Sequence, residues 1–152
     1  MRIRVFVFDD DQTIRSILWR LLDGRGYEVF TFPDPAFCPL HLATGCPCPE
    51  DQACADIIIS DINMPNVTGL EFVENQMKKG CKVKNVALMS GAWSDSDLEY
   101  ARRLGCQALH KPFTLEEINT WLDVCEKKID PNRVLSDWFQ RGTHPSVTDE
   151  PA

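Results

Sequence analysis

The chain has 152 residues and a net charge of -7, long enough to bury one core and too short for two full domains. Phosphate backbones and anionic membranes would repel so acidic a surface, and the apolar runs, each only a few residues long, are too short to span a bilayer. Aspartates interrupt any leader-like run near the N-terminus, so the seven cysteines are expected to be reduced thiols or metal ligands of a soluble, cytoplasmic protein rather than a secreted disulfide framework.

An apolar run from Arg4 to Phe8 opens the chain, followed by Asp9, Asp10 and Asp11 and then a helical pattern at Thr13 to Asp23. The spacing predicts further strands at Glu28 to Phe32, Asp56 to Ser60, Asn85 to Met89 and Gln107 to His110. Helical patterns cover Thr68 to Lys79, Asp95 to Leu104 and Thr114 to Lys128, and a weaker one falls within Ala36 to Thr44. Ser94 with Asp97, and Thr114 with Glu117, have capping-box spacing, and Gly105 sits where a helix end favours a left-handed residue.

Runs such as IIIS and VALM are apolar on both faces, which suits a parallel sheet covered by helices on both sides. Five βα units of this size make a doubly wound α/β domain, whose ligand site lies beyond the carboxyl ends of the strands. Four strands end there in polar groups: Asp9, Asp10 and Asp11 after the first, Asp61 after IIIS, Ser90 after VALM and Lys111 after ALH. Singly, each is an ordinary turn or cap residue. Together they describe a centre able to handle a phosphoryl group. Crowded carboxylates with one lysine call for a hard divalent cation, Mg²⁺ by its preference for oxygen ligands. An aspartate can also serve as the nucleophile that forms an acyl phosphate.

The words VFVFDDDQTIR, DIIISDINMPNVTGLEF, ALMSGA and ALHKPF resemble, in order and approximate spacing, the acid-pair, phospho-acceptor, hydroxyl and lysine segments of the two-component response-regulator receiver domain. The resemblance covers about residues 3 to 128. It implies a flavodoxin-like, five-stranded parallel sheet of order 2-1-3-4-5, in a bacterial, stand-alone receiver resembling the single-domain chemotaxis regulators. Asp61 would then be the phosphorylation site, Asp9 and Asp10 the acid pair, and Asp10, Asp61 and the Asn63 carbonyl the Mg²⁺ ligands, with Ser90 and Lys111 holding the phosphoryl oxygens. Arg15, five residues after Asp10, fits the same alignment. The partner implied is a sensor histidine kinase or a histidine phosphotransfer protein, with a downstream protein left open. In the family the Lys-Pro bond is often cis. Many members dimerise through the fourth and fifth helices, which leaves a homodimer open.

The chain departs from the family pattern at Ala108, where receivers often carry an aromatic residue whose ring follows the hydroxyl; that rotamer switch cannot operate as usual here. A rival is the haloacid-dehalogenase-type phosphatase, whose D-x-D-x-T opening is matched by Asp9, Asp11 and Thr13. It needs an acidic pair after a later strand, whereas Asp123, Asp130 and Asp137 lie in helical or tail sequence, and it leaves Asp61 and the NMP turn unexplained.

Within residues 38 to 54, Cys38, His41, Cys46, Cys48 and Cys54 supply enough soft ligands for a structural zinc. Reduced thiols packing a proline-stiffened loop, and disulfides or a redox- or metal-responsive adaptor, stay open beside it. Cys81, Cys106 and Cys125 are expected to be small core hydrophobes. After a domain of residues 1–129, the segment 130–152 is expected to be a tail with a short helix carrying Val134, Leu135, Trp138 and Phe139 on one face. It is too short for an output domain and lacks a basic stripe for DNA.

Overall fold

The computed structural model describes residues 2–34, 44–49, 52–65 and 67–137. Five parallel strands, β1 (Arg4–Phe8), β2 (Glu28–Phe32), β3 (Ile57–Asp61), β4 (Asn85–Ser90) and β5 (Gln107–His110), form one sheet in the order β2-β1-β3-β4-β5. This is the expected doubly wound arrangement. The third strand runs one residue later than the apolar run suggested, so Asp61 is its last residue instead of the first residue beyond it.

Four helices are described: α1 (Gln12–Gly24), α2 (Gly69–Lys78), α3 (Asp95–Arg103) and α4 (Leu115–Lys128). Each starts at a residue whose side-chain oxygen accepts orphan amides of the first turn: Asp11, Thr68, Ser94 and Thr114 respectively. Gly26 and Gly105 follow α1 and α3 at φ +83 and +75, where a side chain would be strained. The helix expected within 36–44 lies outside the described residues except for Thr44, which sits in a bend.

Alternation along the strands divides the core in two. Phe6, Phe8, Phe32, Ile58 and Leu88 face one side with Phe72 of α2, and Val5, Val7, Ile57, Ile59 and Met89 face the other with Leu18 of α1 and Ile118 and Leu122 of α4. Phe8 stacks on Phe32 at 5.0 Å and tilts against Phe72 at 4.7 Å. A fully buried aromatic of this kind contributes about 1.5–3 kcal/mol. Phe8 thereby fixes the end of β1 from which Asp9 projects.

Beyond α4 the chain turns back to the opposite end of the sheet. Ser136 N donates to Ala53 O at 2.8 Å, and Arg133 binds Asp56 through Nε to Oδ1 at 2.8 Å and Nη2 to Oδ2 at 2.5 Å. Buried Arg4 reaches the same segment, bonding Ser136 O at 3.2 Å and Asp137 Oδ1 at 2.6 Å, as well as Glu28 Oε1 at 2.7 Å. Residues 130–137 form no helix, only a turn closed by Arg133 N donating to Asp130 O at 3.1 Å, and Val134 is exposed; Trp138 and Phe139 lie outside the described residues. No described helix is long and apolar enough to cross a membrane.

Candidate functional site

Asp9 leaves β1 fully buried, its amide donating to Phe32 O at 3.1 Å. Its Oδ1 accepts the Asp11 amide at 2.8 Å, and its carbonyl accepts Arg15 Nη1 at 2.7 Å. Asp11 itself caps α1, accepting from Thr13 N at 2.8 Å and Ile14 N at 3.4 Å. Its carboxylate therefore serves the helix, and the D-x-D-x-T reading loses its second acid. An aspartate directly ahead of a helical pattern is a sequence-level cap signal, and it was available for Asp11.

Lys111 follows β5. Its amide donates to Ser90 O at 2.8 Å, its bond to Pro112 is cis, and its Nζ lies 2.8 Å from Asp9 Oδ2 and 3.5 Å from Asp61 Oδ1. The ammonium thus bridges carboxylates from two other strands. Ser90 closes β4, nearly fully buried, and its Oγ accepts the Ala92 amide at 3.0 Å. Its neighbour Met89 pairs in register with Asp61, which brings the hydroxyl-bearing strand end beside the acid-bearing one.

Asp61 is buried, and the Asn63 amide donates to its carboxylate. The turn that follows is closed by Gly69 N donating to Ile62 O at 2.9 Å. A Cβ on Gly69 would stand 2.3 Å from Asp61 O, so only glycine lets α2 begin this close to the strand. Neither this contact nor the hold of Arg15 on the Asp9 carbonyl can be read from the motif, although both residues sit inside it.

Among the described residues, one group of three or more His, Cys, Asp or Glu has its ligand atoms within 4.8 Å of one another: Asp9, Asp10 and Asp61. Burial raises the pKa of Asp9, more than Lys111 and the Asp11 amide lower it. Burial and the charge of Asp9 likewise raise Asp61. Burial opposes the charge of Lys111, but the two carboxylates outweigh it and its pKa is raised. Three acids facing one ammonium make a hard-oxygen donor set short of positive charge, which fits a divalent cation.

Among the described residues the thiols form no comparable set. Cys38 and His41 lie outside the described residues, and Cys46, Cys48, Cys54, Cys81, Cys106 and Cys125 are thiols rather than halves of disulfides. Cys48 hydrogen-bonds Cys54 in the core, and Lys82 Nζ donates to Cys46 Sγ at 3.8 Å. The zinc expectation finds no support in this arrangement. Cys125 is buried against α1 and β1 residues as expected, while Cys81 and Cys106 are half-buried.

Ala108 is half-buried in β5, along a groove of about 690 Å³ that Trp121 and Val124 of α4 also line. The nearby aromatic comes from the loop after Ser90: Trp93 Nε1 donates to Leu109 O at 2.8 Å, and its ring lies 6.4 Å from that of His110.

A family model described as "Response regulator receiver domain" matches residues 5–123. The two-component response regulator ARR12 of Arabidopsis thaliana is 32% identical over 134 residues, covering 86% of this chain and 21% of that protein. The DNA-binding transcriptional regulator NtrC of Escherichia coli (strain K12) is 34% identical over 117 residues, 74% of this chain and 22% of its own. The chain therefore spans about a fifth of the length of these curated relatives, which come from plants as well as bacteria. The Vibrio cholerae chemotaxis protein CheY4 superposes with a TM-score of 0.65 at 29% identity, covering 82% of this chain and 99% of that one. The signal receiver domain of an HD domain-containing protein from Pseudomonas fluorescens Pf-5, at 18% identity, shares the fold with a TM-score of 0.70 over 84% of this chain and 97% of its own.

Proposed function

The chain belongs to the response-regulator receiver family, and from that premise we propose that it accepts a phosphoryl group from a phosphohistidine onto Asp61 and acts as a signalling switch. The observation that carries the reading is the Lys111 ammonium held between Asp9 and Asp61, at 2.8 and 3.5 Å, at the carboxyl edge of the sheet. In the transfer, an Asp61 carboxylate oxygen attacks phosphorus, the bond from phosphorus to the donor ring nitrogen breaks with its electron pair on nitrogen, and the ring takes a proton from solvent so that it leaves as neutral imidazole. Lys111 lowers the cost of keeping Asp61 ionised in a buried setting and offers its charge to the incoming oxygens. Ser90, whose Oγ now accepts from Ala92 N, has its hydroxyl proton free to donate to a phosphoryl oxygen. Asp10, Asp61 and the Asn63 carbonyl would hold Mg²⁺, which when bound supplies charge neutralisation at those oxygens. Asp9, which is wholly enclosed, positions Lys111.

The partner in this reading is a histidine kinase or a histidine phosphotransfer protein, and the site of action is the cytoplasm. Residues 1–129 form the receiver unit and residues 130–152 a tail attached to it. Intact-mass spectrometry after incubation with acetyl phosphate and Mg²⁺ tests the proposal. One phosphoryl adduct on the wild type that is lost in Asp61→Asn supports it. An adduct that persists in Asp61→Asn overturns the assignment of the acceptor.

A further inference from the structure

At the end of the sheet opposite Asp61, the fold-back of residues 130–137 walls off a cavity of about 300 Å³. Four cations line it, Lys82, Lys84, Lys128 and Arg133, against two carboxylates, Asp56 and Asp130. They arise from three separate segments: the approach to β4, the end of α4 and the returning tail. On a chain of net charge -7, a pocket with a local excess of two positive charges reverses the sign of the rest of the surface.

Most of that positive charge is uncompensated. Arg133 is consumed by Asp56, whose Oδ2 also accepts the Arg4 amide at 2.9 Å. Lys82 spends its ammonium on neutral acceptors, Cys46 Sγ, Cys48 O and Gly80 O at 3.3 to 3.8 Å. Lys84 and Lys128 are exposed and make no ion pair among the described residues. Asp130 accepts the Asn132 amide at one carboxylate oxygen, at 2.8 Å. The cavity floor is apolar, formed by Ala53, Ala55, Ile129 and Leu135. Convergent cations over an apolar floor, at a volume near the lower end of small-ligand sites, describe a binding pocket.

We propose that this cavity binds a small organic polyanion, its anionic oxygens taken by Lys82, Lys84 and Lys128 and its carbon skeleton laid on the apolar floor. Phosphoryl and carboxyl groups share the oxygen chemistry such a site recognises. A ligand seated there would join the tail to the domain and raise the melting temperature through mass action.

The test uses the full chain passed over a chelating resin, which removes any divalent cation from the Asp61 site and leaves no soluble polyanion in the sample. Glycerol 3-phosphate and citrate are titrated separately at constant ionic strength, following the amide resonances of Ala55, Asn85 and Ile129 and the melting temperature. The expected result is a saturable shift with at least one of the two, accompanied by a rise in melting temperature; the anion that binds tighter identifies phosphoryl or carboxyl as the preferred group. The double variant Lys84→Gln, Lys128→Gln should weaken it by about tenfold or more while its own unliganded melting temperature stays that of wild type, since both side chains are exposed. Absence of saturation with both anions overturns the proposal. So does binding of equal strength in the double variant.

Discussion

Lys111 stands closer to Asp9 than to the proposed acceptor: its Nζ lies 2.8 Å from Asp9 Oδ2, and Asp9 is the carboxylate with no exposed surface. The lysine is thus tethered by an acid that solvent does not reach, leaving its remaining donors to the second, more accessible partner.

Lys111→Ala should therefore cost stability as well as reactivity. It leaves a buried carboxylate beside a like-charged neighbour, and breaking such a pair destabilises by up to about 3 kcal/mol, less where the carboxylate takes up a proton. Urea denaturation with EDTA present measures it. A variant as stable as wild type would mean that the pair contributes nothing to the fold.

Asp61→Asn should show a stability advantage that depends on pH. The carboxyls of Asp9 and Asp61 hold their protons above 3.8, the value of an unhindered aspartate. Their contribution to stability is therefore present below that value and lost as pH rises through the folded-state pKa values. Removing one charge relieves the other, so in metal-free buffer the melting temperature of Asp61→Asn should pull ahead of wild type as pH climbs from about 4 to about 7. A gap that does not change with pH would contradict the crowding of these acids.

Gly69→Ala tests the closeness of α2 to the acceptor strand. Its Cβ would meet Asp61 O at 2.3 Å and Ile62 Cα at 3.1 Å, both backbone atoms that cannot rotate away. Overpacking of this kind costs about 1–3 kcal/mol. Thermal melting gives the cost, and phosphorylation by acetyl phosphate should slow because the Asp61 turn has shifted. Unchanged melting would show that the helix start can retreat freely.

The strands and the convergence of Asp9, Asp61, Ser90 and Lys111 were legible because period, apolarity and chain order carry them locally, whereas the strand order came from the resemblance to the receiver family. Thr68, Ser94 and Thr114 declared their helix starts in the same way. What the pattern could not carry was pairing across long separations. Arg4 reads as the polar first residue of a strand, yet its partners lie up to 133 positions away, and Arg133 meets Asp56 across 77. The helix expected around Val134 and Leu135 assumed that apolar side chains set the local shape. In the structure, backbone and ionic contacts of Ser136, Asp137 and Arg133 set it, and Val134 faces solvent.

Arg133→Ala should destabilise by about 2–4 kcal/mol, because the buried Asp56 carboxylate would lose a two-point guanidinium clamp and keep, among the described residues, the Arg4 amide. Hydrogen exchange should then quicken at Ser136, whose amide bonds Ala53 O. Wild-type protection at Ser136 would mean that Arg4 holds the segment unaided.

Burial pushes the thiols of Cys106 and Cys125 up to about 11. At pH 8 only about one in a thousand of each is thiolate. Iodoacetamide on the native protein should leave Cys125 unmodified over a time in which the denatured chain is labelled at all seven cysteines. Peptide mass mapping that finds Cys125 labelled at the denatured rate would refute its burial.

The junction of Arg4 with Ser136 and Asp137 bears on how the chain can be made and cut. A ribosome delivers β1 long before the residues that complete the partners of its first side chain, so a nascent chain halted after α4 holds Arg4 without its Ser136 and Asp137 contacts and Asp56 without its guanidinium. A fragment trimmed at residue 123, where the family match stops, would inherit the same defect. Expression boundaries for this protein belong beyond Asp137, where Arg4 and Asp56 keep the partners that the returning segment supplies.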